Sequence, residues 1–494
     1  MINRTSMTNM NRNKVSVNAL NTQMTTQKKI NRPSEDPVIA IRSLRLRSDL
    51  SELDQYYGKN IPDAESWLDL TETALTNMKT LVTDIYKQCV NGATDTLNQE
   101  DRNAILQNLQ QMRTQIYKEG NADSGGRTIF TGFKTSSQLT FDADEADTTY
   151  EITEKLNYQD IEERSYYSKQ VELPTEEIDI MQGILIEEYP QETTNFRMRL
   201  SYDLLDGTDG SMTDVTINMT AKDGTKKVLN ATTRSYEDWS KDGFQVRDGE
   251  VLFIPESGEL IMGKNISEEI KGAKGELAVT YNKTGFKEGE IRPEHYFDCV
   301  NTTNPNNEIT YVKERQEIEY TVSFNQTLVV NTQASDVFNA ALGRDVDELT
   351  EAVKGAIAAH EKIEKIEDMM KQEQYSSPEA QEKLKEWLEA AQKEAAYMDD
   401  NMQKLYSAGI SGFQGYLDDI SLAITDVGSK GNRLELTKNR VGNQQTAFEK
   451  LKSTNEDRDL SEIIVDYTSA YTAYQASLMA SSKANQQTLL DYLR

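Results

Sequence analysis

The chain has 494 residues, of which 37% are hydrophobic and 28% charged, and a formal net charge of −28. Its length suits about three domains, and so acidic a surface excludes nucleic acid, whose phosphates it would repel. Two cysteines, Cys89 and Cys299, are too few for a disulfide framework. No segment approaches the roughly 18 apolar residues of a membrane helix, so no membrane insertion is expected.

The charge is uneven. Residues 1–50 carry nine Lys/Arg against three Asp/Glu, and residues 430–494 carry nine against eight, so the acidity lies wholly between them. An acidic body with ends of low charge suits a subunit whose ends become buried among neighbours. It equally suits a chain whose acidity only keeps it soluble.

At the front, Met10, Val17 and Met24 recur seven residues apart with Leu20 nearby, a thin stripe in an Asn- and Thr-rich helix that needs a partner. Pro33 and Pro37 end that helix in the loop Ile30-Asn31-Arg32-Pro33-Ser34-Glu35-Asp36-Pro37. Ser34 or Asp36 can cap the next helix, with Pro37 at its first position. From Val38 a pattern runs through Leu44, Leu50, Leu53 and Tyr57. It joins a seam of Ile61, Ala64, Leu68, Thr71, Leu75, Met78, Val82, Ile85 and Cys89, with a kink predicted at Pro62. A further helix is predicted over Leu97 to Lys118, then a glycine-punctuated turn and short hairpin over Asn121 to Gly132.

From 136 to about 330, alternation and β-branched residues dominate. Strands are predicted at Phe196–Tyr202, Asp214–Met219, Val251–Pro255, Leu277–Tyr281 and Glu317–Phe324. Asp206-Gly207, Asp209-Gly210, Asp223-Gly224 and Asp242-Gly243 mark the turns.

Helix returns near Val337. Pro378 is the last proline, and Leu384, Trp387, Leu388, Ala391 and Ala395 form a stripe that Gly409, Gly412 and Gly415 are expected to interrupt. A break is predicted at Glu456-Asp457-Arg458-Asp459, with Asp459 as the cap. The final helix carries Leu460, Ile464, Tyr467, Tyr471, Tyr474 and Leu478 on one stripe, and Leu489 and Leu490 at its end. The fold class is α+β and elongated, with long terminal helices forming a coiled-coil-like rod and a β-rich domain inserted in mid-chain. The expected divisions are 1–35, an inner helix, 36–135, the first half of the rod, and 136–335, the β-rich domain. Residues 336–459 form the second half of the rod, and 460–494 the C-terminal inner helix.

No catalytic constellation emerges. His295 and His360 stand far apart, both are read as surface residues, and His360-Glu361 lacks the second histidine of a zinc helix. No phosphate loop, nucleophile elbow or twelve-residue calcium loop is present. Neither catalytic residues, metal nor cofactor are expected, and Cys89 is read as a small core hydrophobe.

Several segments resemble the flagellin superfamily. Lys28-Lys29-Ile30-Asn31-Arg32-Pro33-Ser34-Glu35-Asp36-Pro37-Val38 is similar to the loop after the family's first helix, in a form closer to its hook-associated junction members than to flagellin. Family members usually carry Gly before the basic pair, where Gln27 stands here. Ala64-Glu65-Ser66-Trp67-Leu68, Gly126-Arg127-Thr128-Ile129-Phe130-Thr131-Gly132, Asn432-Arg433-Leu434-Glu435, Asp457-Arg458-Asp459-Leu460 and Tyr474-Gln475-Ala476-Ser477-Leu478 also resemble the family's terminal rods.

The resemblance implies an extracellular structural subunit of the bacterial flagellum, exported without a cleaved signal peptide. It would self-associate in a ring and contact flagellin, the other hook–filament junction protein and an export chaperone. Met10, Val17, Leu20, Met24, Leu460, Ile464, Tyr467, Tyr471, Tyr474, Leu478, Leu489 and Leu490 are then the assembly and chaperone surface. Leu50, Tyr57, Ile61, Leu68, Leu75, Met78, Val82 and Ile85 are the rod seam, and Asn31, Pro33, Ser34, Asp36 and Pro37 the loop. The alternatives are a filament-forming flagellin, or a surface-displayed glycan-binding protein on the same rod.

Overall fold

The computed structural model describes residues 2–93, 98–174, 180–181, 183–185, 188–207 and 215–490, with side chains described from 4 to 483. Leu97, the Asp209-Gly210 turn and Asp214 lie outside them, as do the side chains of Leu489 and Leu490. The chain is α+β, with long helices at both ends and a sheet in mid-chain. It divides into two compact units. One comprises 1–65, 319–328 and 431–494, and the other comprises 66–318 and 329–430.

The first unit begins with α1 (Ile2–Thr26) and α2 (Pro37–Gln55). The turn between them has Pro33 at its second position, where its fixed φ is favourable, and closes with Glu35 N–H donating to Arg32 O at 3.0 Å. Asp36 is the cap of α2. Its Oδ1 accepts from the Val38 and Ile39 amides at 2.9 and 3.1 Å, and Pro37 occupies the first turn.

The kink predicted at Pro62 takes a definite form. Tyr56–Asn60 is a π turn, and the Ile61 N–H reaches back to Tyr56 O. One widened turn before the proline makes room for its ring and absorbs its missing donor. α3 (Ile61–Gly92) follows without a gap.

Along α2 the buried residues are Ala40, Leu46, Leu50 and Leu53, whereas Val38 and Leu44 are exposed. Of the expected stripe, Leu50 and Leu53 are buried, whereas Tyr57 is exposed like Val38 and Leu44.

The unit's other elements are a hairpin and two C-terminal helices. The hairpin is β11 (Glu319–Ser323) and β12 (Gln326–Val329). It docks on the π turn, where Asn60 Nδ2 donates to Thr321 O at 2.8 Å and Tyr56 meets Phe324 edge-on at 5.6 Å. The hairpin lies within the stretch expected to form the β-rich domain, yet it groups with the terminal helices. α8 (Pro378–Glu456) ends where α9 (Leu460–Leu490) begins, and Asp459 Oδ1 accepts from the Ser461 amide at 2.7 Å to cap α9. The glycines at 409, 412 and 415 do not interrupt α8, which is continuous over 79 residues. A single helical glycine costs only about 1 kcal/mol, which the flanking buried Tyr406, Phe413 and Ile420 outweigh.

The second unit holds the remainder of α3, α4 (Gln99–Gly120), and a ten-stranded sheet, with α7 (Ala341–Met370) and the first part of α8. Its strands run from β1 (Glu145–Asn157) and β2 (Glu162–Ser168) through β3 (Gln191–Arg199), β4 (Val215–Thr220) and β5 (Lys226–Thr233). They continue as β6 (Val251–Ile254), β7 (Glu259–Met262), β8 (Glu276–Phe286), β9 (Asp298–Asn301) and β10 (Ile309–Tyr311). The order across the sheet is β10-β9-β1-β8-β4-β5-β6-β7-β3-β2, with all pairs antiparallel except β5 with β6.

Two short helices inside the β-rich segment were not anticipated: α5 (Tyr236–Lys241) and α6 (Lys264–Ala273). Both fall between turn signals and are too short for a clear 3.6-residue period. α5 exists to seat Trp239, wholly buried against Tyr166 and Phe244 at 4.8 Å each. At the β6–β7 turn, Gly258 has φ +60°, and a Cβ there would lie 1.9 Å from Tyr202 O, so only glycine fits.

Candidate assembly interface at the chain ends

α1 packs along α9. Met10, Val17, Leu20 and Met24 are half-buried on α1. On α9 the residues turned inward are Ile463, fully buried, and Tyr467, Ala470 and Tyr474, half-buried. These recur at steps of four, three and four, one helical face. The stripe expected on this helix therefore splits. Tyr467 and Tyr474 take part in the α1 contact, whereas Leu460, Ile464, Tyr471 and Leu478 are each more than 40% exposed. Ile463, the residue that anchors the contact, was not singled out, because five apolar positions in eight (460, 463, 464, 465 and 467) leave the inward one undecided from sequence.

The outward face of α9 adds Val465 and Met479, 67% and 68% exposed, and Met7 and Val15 on α1 are similarly open. So much apolar area on one helical pair is unusual for a surface with no partner.

Where α1 ends and α9 begins, the two chain breaks lie side by side. Lys28 and Asp457 form an antiparallel bridge, with Lys29 N–H donating to Glu456 O at 2.7 Å and Arg458 N–H to Gln27 O at 3.0 Å. Side chains close the same junction. Lys28 Nζ pairs with Asp457 at 2.5 Å and Glu456 at 3.3 Å. Arg47 grips Glu456 with two bonds of 2.7 Å, and Ser43 donates to it as well. Arg458 donates to Gln23 at 2.8 Å and pairs with Asp466.

Glu456 is 4% exposed and is the centre of this clasp. The Arg47 hydrogen bonds, with those from Ser43 and Lys28, hold its carboxyl down at about 2. The basic excess at the front of the chain is thus partly spent on the acids at the α8–α9 break. Glu456, Arg47 and Ser43 were missed as a site. The only signal was the coincidence of a basic front with an acidic break more than 400 residues away. Of the loop residues, Asn31 donates its amide to Glu35 at 2.8 Å, while Asn31, Pro33, Ser34 and Pro37 are exposed.

Of the seam residues, Leu50 and Ile61 are buried in the first unit and Leu68, Leu75, Met78, Val82 and Ile85 in the second. Tyr57 is 39% exposed, yet its ring packs against α8 at Gly442, where a Cβ would sit 3.1 Å away. Nearby, Glu65 pairs with Lys438 at 2.7 Å. In the second unit the Arg127 guanidinium lies over Trp67 at 5.4 Å, joining two of the quoted motifs by a cation–π contact.

The thiols are buried, and each histidine is hydrogen-bonded within the protein. Burial pushes Cys89 and Cys299 up to about 12 each, and both are free. His295 is buried, not on the surface as expected. Burial, then the nearby Lys134, lowers it to about 3, and its Nε2 lies 3.1 Å from Gln138 O. His360 is half-buried against Asp399 at 2.9 Å. Among the described residues no group of His, Cys, Asp and Glu gathers as a metal site, and no helix is long and apolar enough to cross a membrane.

The sequence model of the bacterial flagellin N-terminal helical region matches residues 1–135, and that of the C-terminal helical region matches 412–493. The two ends of this chain are flagellin-type helical regions. Flagellar hook-associated protein 3 of Salmonella typhimurium is 30% identical over 119 residues, 24% of this chain and 37% of that protein. The Escherichia coli protein of the same name is 29% identical over 116 residues, 23% and 36%. The aligned stretch thus spans a little over a third of these relatives. Among solved structures, the flagellar junction protein FlgL of Legionella pneumophila aligns over 80% of this chain and 99% of its own, at 13% identity and TM-score 0.27. Within the flagellin-type ends lie both the α1–α9 pair and the clasp.

Proposed function

We propose that this chain is a non-enzymatic structural subunit of the bacterial flagellum, joining hook to filament by packing its flagellin-type end helices among neighbouring subunits. One observation carries the reading: α9 covers α1 with one face and leaves a second apolar face, Ile464, Val465, Tyr471, Leu478 and Met479, in solvent. A helix with two apolar faces is half satisfied within its own chain and completes its burial in a lattice. The relatives named hook-associated protein 3 support the junction position. Flagellin and the other junction protein are then its axial neighbours, further copies its lateral ones, and an export chaperone covers the open α9 face before assembly. The site of action is outside the cell, reached without a cleaved signal peptide.

The test is deletion of residues 460–494. The truncated protein should remain soluble, with its second unit folded, and should fail to support filament growth on hooks. Normal motility from the truncation would overturn the reading. Purified full-length protein that seeds long filaments alone would place it instead with flagellin.

A further inference from the structure

β2 is the last strand of the ten-stranded sheet, and among the described residues no strand pairs with its outer edge. A cleft of about 540 Å³ follows that edge. It is lined by Glu162 and Arg164, which point to one side of the strand, and by Glu163 and Ser165, which point to the other. The cleft also takes in Thr194 and Arg197 of β3 and Asp345, Glu348 and Leu349 of α7, and it runs beside β2, whose outer backbone N–H and C=O groups are unpaired by any strand among the described residues.

The opposite wall is α8. Asn401, Leu405, Ala408 and Gly412 line it at steps of four, three and four, a single helical face. Asn401 is 9% exposed, and its buried Oδ1 has no hydrogen-bond partner. A buried carbonyl oxygen left unpaired costs stability, and a donor brought into the cleft would satisfy it. Glu163, exposed at the mouth of the cleft, makes no ion pair among the described residues.

We propose that this cleft binds an extended peptide as an added strand on β2. The peptide backbone pairs with the free edge. The Asn401 carboxamide, which carries both a donor and an acceptor, exchanges hydrogen bonds with a backbone amide of the same peptide. Glu163 selects a basic side chain beside it. A saccharide is disfavoured because the cleft offers no open aromatic face: Phe413, its one ring, is 1% exposed. The site lies wholly in the second unit and does not depend on assembly through the chain ends.

The experiment is hydrogen exchange of the full-length protein with millimolar strand-forming heptapeptides, acetylated and amidated, of sequence Thr-Val-Thr-X-Thr-Val-Thr with X as Lys or Glu. The Lys peptide should slow exchange at Glu162–Ser168 by about tenfold. The same peptide with alternate amides N-methylated should not. Glu163→Lys should reverse the preference to the Glu peptide, and Asn401→Leu should abolish protection while leaving the melting temperature unchanged or higher. Protection by neither peptide, equal protection by the N-methylated form, or protection by N-acetylchitohexaose instead would each overturn the proposal.

Discussion

Gln27 stands one residue beyond α1 with φ +55°, in the left-handed region that glycine enters without strain. Its amide still closes the helix end on Gln23 O at 2.7 Å, and its carbonyl accepts from Arg458, so the conformation is held by the clasp it helps to form. Gln27→Gly should therefore stabilise the first unit by about 0.5–1 kcal/mol, since the strain relieved exceeds the entropy gained by the unfolded chain, read as a rise in its melting temperature. Glu456 is the second decisive residue. Its folded value near 2 lies below its ordinary 4.5, so its contribution is complete above pH 4.5 and is lost as pH falls through 2. With Arg47 and Lys28 partly in solvent, the clasp is worth on the order of 2 kcal/mol. Glu456→Gln should lower stability by that amount at pH 7 and flatten the acid-side dependence, measured by denaturant titration across pH 2–6.

At the scale of elements, α9 has two faces with separate roles. Replacing Tyr467, which packs toward α1, with Ala should weaken the α1–α9 pair in the monomer and raise hydrogen exchange along α1. Tyr471 stacks on Tyr467 at 6.0 Å but is 43% exposed. Replacing it together with Ile464 by Ser should leave monomer exchange close to wild type and reduce incorporation into filaments, scored by sedimentation on hook-bearing flagella. Loss of monomer protection in the second variant would show that the outward face is structural. α8 teaches a different lesson about elements. Its glycines at 412 and 415 have open space around the missing Cβ, whereas at Gly409 a Cβ would lie 3.1 Å from Cys89 Sγ. One glycine in that run serves a close helix approach, and the others are only tolerated.

For the whole molecule, the two units are held by different means. The first relies on helix pairing and the clasp. The second buries an ionic network that ties strands β2 and β3 to α7. Arg164, Arg197 and Arg199 all converge on Glu348, at 3.1, 2.8 and 2.8 Å, and Arg197 also reaches Glu259 at 2.6 Å. These guanidinia hold the Glu348 carboxyl far below the usual range against the opposing cost of its burial. Glu348→Gln leaves three cations short of their common partner and should destabilise the second unit by about 3 kcal/mol. Scanning calorimetry should show its transition fall while that of the first unit is unmoved.

Much of this was written in the local sequence. Proline and aspartate signals placed the α1–α2 loop and the Asp36 and Asp459 caps, because capping is chemistry between neighbours. The seam from Ile61 to Cys89 was legible because every residue on it is buried on a single helical face. Alternation and Asp-Gly pairs located four of the sheet's ten strands, β3, β4, β6 and β8. What the sequence left open depends on contacts distant in the chain. Periodicity names an apolar stripe but not the side on which its partner lies, so Tyr467 and Tyr471 could not be told apart, nor Leu44 from Leu46. Glu456 became the centre of the clasp only when folding brought Arg47 and Lys28 to it. The order of the sheet, its unpaired edge at β2 and the unpaired Oδ1 of Asn401 are likewise decided by tertiary structure, since strand pairing and the burial of a single polar group are set by what the rest of the chain places beside them.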